Sequence, residues 1–131
     1  MVVDTSAMVA ILRREPDWQR FFAAMTEASS CRMSAATWVE LSLVALGQLR
    51  PEVLAEVDEL ARQLGLELMP FDAGQAAIAR DAFQRFGKGR HPARLNLGDC
   101  FAYALARHLD EPLLFKGDDF ARSDIRSAFA D

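Results

Sequence analysis

The sequence predicts an α/β fold in which helices cover both faces of a parallel sheet. Four short runs, "MVVD", "CRMS", "LELMP" and "PLLF", read as strands. Between them lie longer stretches whose apolar residues recur at helical spacing, so successive strands are joined by right-handed crossovers and run parallel. With 131 residues and 51% hydrophobic content, the chain has enough material for a sizeable core, and we expect one domain over residues 1–131.

The first strand ends at Asp4, and "SAMVAILRR" switches at once to helical spacing. Pro16 and Asp17 restart a helix that carries Trp18, Phe21, Phe22 and Met25 on one face. "CRMS" is the second strand and "SAATWVELSLVALGQL" a strongly apolar helix from about Ser34. Pro51 opens a further helix, aligning Val53, Val57, Leu60 and Leu64 before Gly65 stops it. After the third strand, Asp72 can cap a helix bearing Ile78, Ala82, Phe83 and Phe86. The loop "RFGKGRHPAR" leads to "LNLGDCFAYALARHL", a helix with Leu97, Phe101, Leu105 and Leu109 at spacing four. "PLLF" closes the sheet, and the tail holding Ile125 is too short to assign by pattern.

The chain opens with no basic region before its first apolar run, and no uncharged stretch reaches the roughly 18 residues of a membrane span, so a cytoplasmic protein is expected. Cys31 and Cys100 lack CxxC-type partners and read as small core residues rather than zinc ligands or a disulfide. His91 and His108 have no Ser or Cys nucleophile pattern to join, and P-loop and HExxH motifs are absent. The net charge of −4 conceals a segregation. Arg80, Arg85, Lys88, Arg90 and Arg94 face only Asp81 in their stretch, a basic strip that suits a polyanion; a solvated loop is the competing reading.

Four acids stand out against this frame. Asp4 ends the first strand and Asp118 follows the last, which places both at the carboxyl edge where ligands of open parallel sheets bind. Glu40 is the one charged residue of its apolar helix. Asp99 lies in the first turn of a later helix, where Asn96 as N-cap and Asp99 three residues on also make a capping box.

The blocks "VVDTSA", "SAATWVEL", "LNLGDCFAYALA" and "LLFKGDDFARSDI" resemble, in order and over nearly the whole chain, those of PIN domains, in particular the VapC toxin ribonucleases of VapBC toxin–antitoxin modules. The resemblance implies a three-layer α/β/α sandwich with sheet order 3-2-1-4-5, making the tail a short edge strand. It places the family's acids on Asp4, Glu40, Asp99 and Asp118, with Asp119 the competing choice for the fourth. Ser6 then supports the first aspartate, and Asn96 matches the polar residue before the third acid. The implied partners are a VapB-type antitoxin and a second copy of the chain in a homodimer.

Hydrolysis of a phosphodiester needs a nucleophile brought to a phosphorus shielded by negative oxygens, a task suited to Mg²⁺ or Mn²⁺ held by carboxylates. Asp4 and Asp99 are the expected ligands, with Glu40 and Asp118 holding waters around the cation or a second ion, and Arg85, Lys88, Arg90 and Arg94 contacting RNA. Two alternatives stay open: a metal-dependent phosphotransfer or receiver-type module with Asp4 as phosphoacceptor, and a domain that binds RNA or protein without cutting. The first lacks a second acid two residues after Asp4, where Ser6 stands, and leaves Glu40 unexplained.

Overall fold

The computed structural model describes residues 1–48 and 50–129. Its elements, in chain order, are β1 (Val2–Val3), α1 (Thr5–Leu12), α2 (Trp18–Glu27), β2 (Cys31–Ser34), α3 (Ala35–Gln48), α4 (Val53–Gln63), β3 (Leu66–Met69), α5 (Ala73–Phe86), α6 (Leu97–Leu109) and β4 (Leu113–Leu114). The strands form one parallel sheet in the order β3-β2-β1-β4, with Val2 opposite both Arg32 and Leu113, and Cys31 opposite Leu66.

Alternation along the strands sorts the core into two layers. Val3, Met33 and Leu114 point toward α1–α4 and pack with Met8, Phe21, Leu41 and Val53, whereas Val2 and Leu113 point toward α5 and α6 and pack with Ala82, Leu95, Tyr103 and Leu105. Cys31 and Cys100 are buried free thiols, one in each layer.

The helix boundaries follow side-chain chemistry. Asp72 caps α5 by accepting the Gln75 N–H at 2.9 Å, and Gly65, at φ 62°, takes the left-handed conformation that ends α4. The sequence reading carries α3 to Leu49, which lies outside the described residues.

The tail adds to the edge of the sheet beside β4 as the order 3-2-1-4-5 implies, but only as a single parallel bridge between Leu113 and Ser127, held by Leu113 N–H to Arg126 O at 2.8 Å and Ala128 N–H to Leu113 O at 2.9 Å. Two expectations about the helices are corrected. The spacing of four marks the buried face of α6 only in part: Leu105 is buried and Leu109 packs against the core, but Leu97 is 70% exposed, and Gly98, Cys100, Tyr103 and the neighbouring alanines share the buried face. Nor is the strongly apolar α3 buried all round: Thr37, Leu41 and Ala45 are buried and Trp38 packs against the core, while Val39, Leu43 and Leu46 face outward.

Candidate active site

β1 is two residues long, and the chain turns straight from it into α1. Asp4 is the hinge of that turn and the N-cap of the helix: its Oδ2 accepts the Ser6 N–H at 3.0 Å and the Ser6 hydroxyl at 2.6 Å. The Ser6 Oγ in turn accepts the Lys116 N–H at 2.9 Å, tying Asp4 to the segment after β4. Lys116 is itself anchored, its Nζ lying 2.8 Å from both Glu15 and Asp17.

One oxygen of Asp4 is thus doubly satisfied, and the other is not. Asp4 is 4% exposed, and its Oδ1 is buried with no hydrogen-bond partner. Burial pushes its carboxyl up to about 7, against the lowering effect of the Ser6 bonds, and the charges of Asp99 and Glu40 push in the same direction.

Asp99 shows that capping and site membership are compatible. Asn96 Oδ1 accepts the Asp99 N–H at 2.9 Å and Asp99 Oδ2 accepts the Asn96 N–H at 3.0 Å, a complete capping box that fixes the carboxylate on the first turn of α6. Burial raises Asp99 to about 6 despite that bond, and the charges of Asp119 and Glu40 add to the rise.

Glu40 projects from α3 into the space between these two acids' elements. Its Oε1 accepts the Thr5 hydroxyl at 2.6 Å, and its carboxylate lies against Gly98 of α6. Asp118 and Asp119 are both exposed at the start of the last loop, and it is Asp119, at the N-cap of a short 3-10 turn (Phe120–Arg122), whose charge acts on Asp99.

Asp4, Glu40, Asp99 and Asp119 therefore share one electrostatic neighbourhood at the carboxyl edge of the sheet. Among the described residues no three His, Cys, Asp or Glu side chains close into a ready-made metal cage. The donor set nevertheless fits a hard divalent cation: a buried, unpartnered carboxylate oxygen faces like charges, and Mg²⁺ or Mn²⁺ needs only one or two direct carboxylates.

The basic strip divides. Arg85 is ion-paired with Asp81 at 3.2 Å and Asp124 at 3.0 Å, so its charge is already matched. Arg90 stacks toward Phe83 and, with Arg80, lines an apolar groove of about 700 Å³ between α5 and α6 that also includes Phe71, Leu97 and Phe101. Lys88 and Arg94 are exposed on a loop closed by hydrogen bonds between Lys88 N–H and Leu95 O and between Leu95 N–H and Phe86 O. His91 serves that loop, its Nδ1 accepting the Ala93 N–H at 3.0 Å.

Sequence reasoning missed Thr5 and Gly98, which meet the Glu40 carboxylate from either side. A glycine in the first turn of an otherwise good helix was the available signal for a close approach at Gly98.

Comparison with known proteins agrees with this architecture. The family model described as "PIN domain" matches residues 1–125. The chain is 46% identical over 129 residues to Ribonuclease VapC42 of Mycobacterium tuberculosis, covering 98% of each chain. It is 47% identical over 126 residues to Ribonuclease VapC30 of the same species, covering 95% of each. Among solved structures it is similar to a toxin-antitoxin complex from Klebsiella pneumoniae, with a TM-score of 0.70 and 15% identity over 99% of this chain and 98% of that one. It is also similar to VapC20 of Mycobacterium tuberculosis, described as a Sarcin-Ricin loop cleaving toxin, with a TM-score of 0.72 and 15% identity over 95% of each chain.

Proposed function

This chain belongs to the PIN-domain family and, within it, to the VapC ribonucleases, and on that premise we propose that it is the toxin of a toxin–antitoxin pair that hydrolyses RNA phosphodiester bonds. The observation that carries the reading is the buried, unpartnered Oδ1 of Asp4, held among carboxylates at the sheet edge. A divalent cation bound there, Mg²⁺ or Mn²⁺, would supply an activated water at neutral pH and offset charge on the phosphate.

Asp4 and Asp99 are the direct ligands in this reading, each with one oxygen pinned by backbone or hydroxyl donors and the other left for the ion. Ser6 holds Asp4 in its rotamer, and Asn96 does the same for Asp99. Glu40 and the Asp118–Asp119 pair complete the acidic ring and take up the proton of the attacking water. Asp119 is favoured over Asp118 as the fourth acid because its charge reaches Asp99. The phosphoacceptor alternative is disfavoured by the burial of Asp4.

Arg80 and Arg90, followed by Lys88 and Arg94, are the cations available to RNA. The outward-facing Val39, Leu43 and Leu46 on α3 and the groove beside Leu97 are the surfaces we assign to the antitoxin and to a second copy of the chain. The chain acts as one PIN-like domain over residues 1–131, in the cytoplasm. No helix among the described residues is long and apolar enough to cross a membrane.

The test is incubation of the purified, antitoxin-free chain with structured RNAs, with Mg²⁺ or Mn²⁺ and with chelator. Cleavage is expected only with metal, and Asp4→Asn or Asp99→Asn should lower it by orders of magnitude. A folded Asp4→Asn protein that cuts like the parent would overturn the ligand assignment.

A further inference from the structure

The residues on either side of Glu40 carry an inference about how that acid is placed. Its carboxylate is caught between the residue that follows Asp4 and the residue that precedes Asp99. On one side the Thr5 hydroxyl donates to Oε1 at 2.6 Å. On the other, a Cβ built on Gly98 would fall 1.3 Å from Oε2 and 2.2 Å from the carboxyl carbon. No side chain other than hydrogen fits there while Glu40 keeps its place, and Gly98 is buried and helical, so neither φ nor solvent explains the glycine.

We propose that Thr5 and Gly98 are positioning residues, a donor and a steric slot that together seat the Glu40 carboxylate between Asp4 and Asp99. The inference rests on the reading of Glu40 as part of a cation site. Three side chains from three segments, α1, α3 and α6, would otherwise have to converge with no contact to fix the middle one. Glutamate has three rotatable bonds to lose, and the hydroxyl and the glycine remove that freedom before any cation arrives.

Alanine at Gly98 should raise stability if the site is merely helical, because glycine is the poorer helix former. The slot predicts a cost that depends on Glu40: Gly98→Ala pushes the carboxylate aside, so its effect on the melting temperature of the metal-free protein is less favourable than that of the same substitution in a Glu40→Ala background, where it becomes neutral or stabilising. Titration with MnCl₂ by calorimetry supplies the second readout. Gly98→Ala and Thr5→Val should each weaken Mn²⁺ binding by about 10- to 100-fold, the range typical for groups that orient metal ligands, and Thr5→Ser should restore it.

Two results would overturn the cradle: parent-like Mn²⁺ affinity in Gly98→Ala while Glu40→Gln loses it, or a destabilisation by Gly98→Ala that persists undiminished without the Glu40 carboxylate. Parent-like Mn²⁺ binding and RNA cleavage in Glu40→Gln is a different failure. It would remove Glu40 from the cation site and the cradle's role with it, while the stability coupling still reports whether the contact exists.

Discussion

Asp4 is a charge placed where a charge is costly. Its one satisfied oxygen limits the penalty, yet burial and the acids around it hold its carboxyl near 7, and Asp99 near 6. A carboxyl raised in the folded state keeps its proton in a pH window where the unfolded chain has already released it. Folding is therefore favoured by these two groups below the ordinary carboxylate range, and that contribution is lost as pH rises through about 6 and then about 7. A tenfold change in proton affinity is worth about 1.4 kcal/mol, so the two acids together account for a few kcal/mol. Metal-free parent protein should show a lower urea midpoint at about pH 8 than at about pH 5, and Asp4→Asn should remove most of the difference. An equal pH slope in parent and Asp4→Asn would mean that Asp4 is not the group that titrates.

At the level of elements, α5 presents two basic faces of different kinds. Arg85 shares its face with Ile78 and Asp81 and is neutralised by Asp81 and Asp124, whereas Arg80 and Phe83 look into the groove where Arg90 ends. A matched arginine releases few counterions when a polyanion binds, so Arg85→Ala should leave the salt dependence of RNA affinity nearly unchanged. Arg80→Ala with Arg90→Ala should weaken binding and flatten the salt slope by about two. The opposite ranking would place the RNA path on the Tyr103 side of the helix. On α6, Asn96→Ala removes the cap of the helix that carries Asp99 and should cost about 1 kcal/mol in chemical denaturation. Caps of this kind were legible in the sequence because they depend on residues three apart. The buried face of α6 was legible only in part: Leu105 lies in the core as its spacing implies, but the alanines around it share that face, and apolar periodicity is blind to small residues that allow close approach. The edge pairing of the tail escaped the pattern for a related reason, since one bridge at Ser127 needs no more than a single residue in register.

Across the whole molecule, the candidate site draws its acids from both layers that pack on the sheet. Asp4 and Glu40 start and ride on helices of the α1–α4 side, and Asp99 belongs to α6 on the other. Strand order and motif order announced that these acids would reach one edge. The Thr5–Glu40–Gly98 contact, a meeting of three distant segments, left no trace in local spacing beyond one glycine. A cation bound by residues from both layers binds the folded chain and not the unfolded one, so its binding energy adds to global stability. At tenfold excess over the dissociation constant this is about 1.4 kcal/mol, which for a chain of this size is roughly 4 to 7 °C in melting temperature. Mn²⁺ should therefore raise the melting temperature saturably near pH 8. The rise should shrink near pH 5, where Asp4 and Asp99 hold protons that compete with the ion. Asp99→Asn keeps an oxygen for the Asn96 N–H, so it should preserve the cap, stabilise the metal-free protein at high pH by removing a charge that burial and, to a lesser degree, the acids nearby penalise, and lose most of the Mn²⁺ response. If Asp99 serves α6 alone, the substitution will instead be neutral or mildly destabilising and the Mn²⁺ response will survive it, an outcome that a thermal-shift series on the two proteins separates without any RNA.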